Sequence, residues 1–147
     1  MIRVAKLTDY GIALMTRLAQ EEPGGSITAR DLAASLGLPL PTVSKLLKLL
    51  ARRQLLVSQR GAHGGYALAR RPEEITLAEL VGALEGPVAV TECAADDCSC
   101  ELETTCDVKD NWSWINRQVM SALEGVTLRE MTGSLARPAG GKHEGSA

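Results

Sequence analysis

No stretch of this 147-residue chain is long and apolar enough to cross a bilayer, and Arg3, Lys6, Asp9 and Arg17 break up its first twenty residues, so no signal-peptide apolar region opens it. These absences predict a cytoplasmic protein with no membrane partner, in a compartment that keeps thiols reduced. The chain also lacks a Ser-His-Asp arrangement and a phosphate-binding glycine loop, and its two histidines, His63 and His143, lie far from its cysteines. Nothing supports catalysis, and an enzyme is not expected. Internal repeats are absent, and the polar, glycine-rich end RPAGGKHEGSA is expected to be a disordered tail.

Cysteine is missing everywhere except in one window. All four, Cys93, Cys98, Cys100 and Cys106, lie between Thr91 and Trp112 at the spacing C-x4-C-x-C-x5-C. Thiolates clustered in this way, in a chain without a secretion signal, are metal or cluster ligands more often than disulfide partners. Two other chemistries compete for the same residues. Structural zinc prefers four ligands in paired C-x-x-C spacing, which this window lacks, and a thiol–disulfide switch needs only two close cysteines, which Cys98 and Cys100 supply.

The formal net charge of −2 conceals a division. Thr28 to Arg71 carries eight Lys or Arg and one acid, Asp31, whereas Glu85 to Asp110 carries eight acids and one base, Lys109. Local charge, not the sum, governs contact with a phosphate backbone. The first block suits DNA and the second repels it. Asp96, Asp97, Glu101 and Asp110 have an ordinary reading as solvated loop acids. Their charge nonetheless weakens DNA binding wherever the loop is held close to the duplex.

Leu7, Gly11, Leu14 and Leu18 recur at helical spacing and predict a helix over about 6–20 that ends at Glu-Glu-Pro-Gly-Gly. Thr28 with Asp31 opens a second helix burying Leu32, Ala33 and Leu36, which Gly37 closes. Pro41 is placed at the first position of a third helix with Val43, Leu46, Leu47 and Leu50 inward. Helix, glycine turn, helix is a helix-turn-helix pattern. The third helix then turns Thr42, Ser44, Lys45, Lys48 and Arg52 outward, hydroxyls and bases without an acid, as a helix entering a DNA major groove requires. Helix C-termini favour cations in any case, which accounts for Arg52 but not for Lys45 and Lys48.

Strands over 55–59 and 66–69 around Arg60-Gly61-Ala62-His63-Gly64-Gly65 make a hairpin wing, with Arg60 and His63 at its tip for the minor groove or a phosphate and Tyr66 as its anchor. Thr76 with Glu79 caps a fourth helix burying Leu77, Leu80, Val81 and Leu84 and ending at Gly86. After the cysteine window, Trp112, Ile115, Val119 and Leu123, with Met120 beside them, form an apolar stripe on a helix over about 110–123, outside the compact core. Such a stripe implies a partner helix. Thr127 with Glu130 starts a last short helix to about Leu135. The expected class is mainly α with a small β-hairpin wing: a winged helix-turn-helix domain over 1–86, a cysteine loop over 87–109 suited to a metal or cluster, a partner-seeking helix and short helix over 110–135, and a tail over 136–147.

Read in this order, LTDYGIALMTRLA, the winged helix-turn-helix, RGAHGGYALAR, ITLAELVGALEGPVAVTEC and the cysteine loop followed by Asn-Trp and a long helix resemble the IscR/NsrR family of bacterial transcription regulators. The likeness runs from Met1 to about Thr132. GAHGGYALAR, LEGPVAVTECA and C-x-x-E-x-x-C ending in Asp-Asn-Trp are most similar to the branch that regulates SUF-system iron–sulfur assembly. The resemblance implies a homodimer with crossing long helices, wings that grip an imperfect DNA palindrome, and a loop holding an iron–sulfur cluster, 2Fe–2S in preference to 4Fe–4S. It implies repression of an assembly operon, or sensing of nitric oxide or oxidant by the same cluster. A zinc or thiol redox protein, or a cluster carrier, is the rival from another class.

In the family three cysteines bind the cluster. Cys93 matches the first and Cys106 the last, the latter set by Trp112 six residues on; Cys100 fits the middle through Cys100-x-x-Glu103-x-x-Cys106, leaving Cys98 as a spare thiol or alternative ligand. Lys109 stands where IscR-like members have histidine. The fourth ligand must come from elsewhere. Asp9, in the string that resembles the region from which some members supply a carboxylate to the other subunit, is the first candidate, with Cys98 and Glu103 as local ones.

Overall fold

A computed structural model describes residues 3–62, 64–91, 94, 105 and 107–133. The described chain runs as α1 (Lys6–Ala19), α2 (Ala29–Leu36), α3 (Leu40–Arg52), β1 (Leu56–Gln59), β2 (Gly65–Leu68), a 3-10 turn (Pro72–Glu74), α4 (Leu77–Glu85), α5 (Lys109–Glu124) and α6 (Leu128–Met131). The expected end of the last helix near Leu135 lies outside the described residues.

Local chemistry sets most boundaries. The Thr28 hydroxyl accepts from the Asp31 N–H at 3.1 Å and donates to the Asp31 carboxylate at 2.7 Å, and Gly37 ends α2 with φ 65°. A side chain at Gly37 would be strained at that angle. Full capping boxes open α4 (Thr76 with Glu79) and α6 (Thr127 with Glu130), each satisfying two otherwise unpaired donors. The Thr127 backbone N–H holds the Glu130 carboxyl below its ordinary value, and the Arg129 guanidinium does the same for Glu73. α3 begins one residue earlier than expected, at Leu40, so Pro41 occupies its second position, where its missing N–H is still harmless.

One core joins α1, α2, α3, the hairpin, α4 and α6. Val43, Leu46, Leu47 and Leu50, the four predicted inward residues of α3, are all fully buried. They meet Leu14, Met15, Leu32, Ile75, Leu80 and Leu128, also fully buried. In α4 the expectation is corrected in part. Ala78 is buried with Leu80 and Val81, while Leu77 and Leu84 are only half-buried. Leu84 sits over Gly11, where a Cβ would come within 2.6 Å of it, so the missing side chain at Gly11 lets α1 and α4 approach closely.

The hairpin pairs antiparallel in register Leu56 with Leu68 through Gln59 with Gly65. A single bridge extends it: Ile27 and Tyr66 exchange backbone hydrogen bonds at 3.0 and 2.8 Å, tying the wing to the turn before α2. Tyr66 is half-buried against the core, as an anchor should be. Gly65 permits this contact, because a Cβ there would stand 2.5 Å from the Ile27 carbonyl oxygen. Backbone cannot yield as a side-chain tip can. Gly65→Ala is therefore expected to break the bridge and cost about 1–3 kcal/mol, read as a fall in melting temperature together with weaker DNA binding from a displaced wing.

A second bridge, Thr76 with Thr127, places the return of the chain beside the start of α4: Leu77 N–H donates to Val126 C=O and Leu128 N–H to Ile75 C=O, both at 2.8 Å. Arg129 adds an ion pair to Glu73 at 2.8 Å. The segment between Glu85 and Val126 is thus an excursion that leaves and rejoins the core along α4. No residue of α5 within that excursion is buried.

Candidate nucleic-acid interface and cysteine loop

The core fixes α3 by its inward face, which leaves the opposite face to solvent. Lys45, Lys48 and Arg52 are exposed there, with Thr42 and Ser44 half-buried. Pro41, Ser44, Lys45, Lys48, Leu49 and Arg52 line one shallow groove. Arg60 is exposed in the turn after β1. His63 lies outside the described residues. Among the described residues none of Lys45, Lys48, Arg52 and Arg60 forms an ion pair, unlike Arg17, Arg70, Arg71 and Arg129, which each hold a glutamate. Cations left unneutralised along the outer side of α3 and in the glycine-rich hairpin turn fit a polyanion.

The expected consequence is electrostatic. Lys45→Ala with Lys48→Ala should weaken binding across all duplex sequences and lower the salt dependence of log affinity by about two, roughly one for each phosphate that a lysine had neutralised. An unchanged salt slope would show that neither lysine meets a phosphate.

The cysteine loop is held at its two ends. Asn116, midway along α5, accepts from the Val90 N–H through Oδ1 at 3.1 Å and donates from Nδ2 to the Val88 carbonyl at 3.4 Å. One amide thereby satisfies two backbone groups of the chain leaving α4 and ties the start of the loop to α5. At the other end Lys109, half-buried, begins α5. Cys93, Cys98, Cys100, Cys106 and Glu103 lie outside the described residues, so the ligand set rests on spacing and resemblance. Asp9 is exposed in the first turn of α1. No described residue bonds its carboxylate.

Sequence reasoning missed Asn116. The signal was present: it is a polar residue inside the stripe of Trp112, Ile115, Val119 and Leu123, where a buried or bonded amide is the usual reason for such an interruption.

The profile of the Rrf2 family, described as an iron-dependent transcriptional regulator, matches residues 4–134. The chain belongs to the Rrf2 family. Within it, the transcriptional regulator IscR of Aliivibrio salmonicida is 27% identical over 122 residues, covering 83% of this chain and 72% of that protein. The solved structure of T. potens IscR has 26% identity and a TM-score of 0.71, covering 95% of this chain and 94% of its own. That of CymR, the global cysteine regulator of B. subtilis, has 25% identity and a TM-score of 0.74, covering 90% and 97%. The Rrf2 chain is therefore a winged-helix transcription regulator, not an enzyme, and its exposed α3 belongs to a scaffold whose regulators bind DNA. No helix among the described residues is long and apolar enough to cross a membrane. Because the Rrf2 relatives include both IscR and a cysteine regulator, the scaffold alone does not name the effector.

Proposed function

We propose that this Rrf2 protein is a homodimeric repressor that senses iron–sulfur supply through a cluster in its cysteine loop and controls an iron–sulfur assembly operon of the SUF type. The observation that carries the reading is the excursion between Glu85 and Val126. All four cysteines fall inside it, its start is clamped to α5 by Asn116, and α5 packs on α4 without any of its residues being buried by the described chain. A change in the loop is thus transmitted to the helix that meets the second copy.

The donor set suits the group. Soft thiolates favour an iron–sulfur cluster, and three of them with one carboxylate complete a four-ligand site. Cys93, Cys100 and Cys106 hold it, with Asp9 of the partner subunit as the fourth ligand and Cys98 spare. When bound, a 2Fe–2S cluster supplies iron–thiolate bonds that iron limitation, oxidant or nitric oxide break. The chain's own residues do the rest: Lys45, Lys48, Arg52, Arg60 and His63 hold an imperfect palindrome, and Thr42 and Ser44 hydrogen-bond within it. Residues 1–86 act as the DNA-binding unit, 87–109 as the sensor, 110–135 as the dimerisation segment, and 136–147 as a tail. The coupling need not be large, since about 1.4 kcal/mol is a tenfold change in operator affinity.

Anaerobic purification tests this. The expected product is coloured and contains iron and sulfide, and its affinity for a palindromic promoter fragment changes when the cluster is removed. A colourless protein carrying zinc and no iron or sulfide sinks the cluster reading. The likeness to CymR, a global cysteine regulator also solved in an oxidized form, supports a second reading, in which the same loop answers thiol redox state without a cluster. A metal-free protein whose DNA affinity follows the oxidation of Cys98 and Cys100 would establish that one instead.

A further inference from the structure

The chain enters α3 through Pro39-Leu40-Pro41, and two of these three residues have no N–H to offer. The first helical bond is Val43 N–H to Pro39 C=O at 3.1 Å, and no side chain caps the turn. What this turn presents is apolar. Leu40, 40% exposed, is one of six large apolar side chains that the described fold leaves in solvent, and Pro41 is exposed beside it. Pro41 shares its face with Lys45, Lys48 and Arg52, which follow at four, seven and eleven residues. Pro41 therefore heads the cationic face, with Leu40 exposed one residue before it.

A duplex offers such side chains one kind of partner. Phosphates and most base edges in the major groove are polar, and the apolar group displayed there is the C5-methyl of thymine. In helix-turn-helix proteins the first residues of the groove helix are the ones that reach base edges. We propose that Leu40 and Pro41 read thymine methyl groups, so that each operator half-site carries an A·T pair whose methyl faces the first turn of α3. Lys45 and Lys48 then fix the helix on the backbone, while the apolar pair supplies sequence discrimination. The proposal rests on the reading of α3 as the groove-bound helix.

The test starts by selecting a preferred duplex from a random pool with the anaerobically purified protein at fixed salt. Each thymine of that duplex is then replaced in turn by deoxyuridine, which removes the methyl and nothing else. One position per half-site is expected to lose about fourfold in affinity, the worth of one buried methyl. In the variant Leu40→Ala with Pro41→Ala that uridine penalty should vanish, with the salt slope unchanged because no charge has been removed. Both side chains are exposed, so the variant should melt with the wild type, and the wild-type uridine scan stands without it. A duplex insensitive to uridine at every position, or a penalty undiminished in the variant, overturns the proposal. A pool that yields no preferred duplex removes the groove-helix reading beneath it.

Discussion

Serine at Cys93, Cys100 or Cys106 is expected to abolish the visible absorption, iron and sulfide of the anaerobically purified protein, whereas serine at Cys98 should leave all three. The effect is close to all-or-none because a serine hydroxyl stays protonated where a thiolate ligates, so one substitution removes a ligand outright. In the three damaging variants operator affinity should no longer respond to cluster removal. Their folding should be nearly unaffected, because the described core that supports α3 is built from residues outside the loop. Melting curves that coincide with the wild type, beside lost colour, would separate loss of a ligand from loss of structure. If Cys98 proves essential and Cys100 dispensable, the middle ligand is misassigned. Asp9→Ala should give a coloured but labile protein, since three thiolates remain while the carboxylate from the second copy is gone.

The parts of this molecule that were legible in its sequence are those set by neighbours a few residues apart. Thr28, Gly37, the Thr76–Glu79 pair and the Thr127–Glu130 pair mark helix ends through hydrogen bonds spanning three or four positions, and the period of Val43, Leu46, Leu47 and Leu50 fixes which side of α3 is buried. With the inward face fixed, the outward positions of Lys45, Lys48 and Arg52 follow. What could not be read was pairing between distant segments. The bridges of Ile27 with Tyr66 and Thr76 with Thr127, and the bonds from Asn116 across 26 and 28 residues, leave no periodic trace. They nonetheless decide how the wing, the loop and α6 are held. Leu77 and Leu84 fit the inward period of α4 and remain half-buried, because periodicity assigns a face without stating how completely a neighbour covers it. For the cysteines, spacing constrains the chemistry of the donors while their arrangement in space lies beyond it.

The larger structural effect belongs to α5. Its sixteen residues span about 24 Å, while the nine of α4, the helix it packs on, span about 13 Å, so much of α5 extends beyond the helix that supports it among the described residues. Trp112 is 37% and Trp114 56% exposed, and the stripe through Ile115, Val119 and Leu123 is only half-covered. Burying one such side chain fully is worth about 1.5–3 kcal/mol, so a stripe of this length against a second copy of itself stabilises a dimer without any contribution from the core. Val119→Asp, and independently Trp112→Asp, should place a charge in that seam and give a monomer by light scattering. The core should still melt cooperatively, because no α5 residue is buried in it. DNA binding should fall about 10²–10⁴-fold, since each subunit then meets its half-site alone and loses the effective concentration that linkage to the other supplies. The cluster should become labile in the same variants if Asp9 reaches it only across the dimer, a loss that a self-contained loop would not show. A variant that stays dimeric with its DNA affinity intact would mean that the second copy docks elsewhere and that the α5 stripe has another occupant.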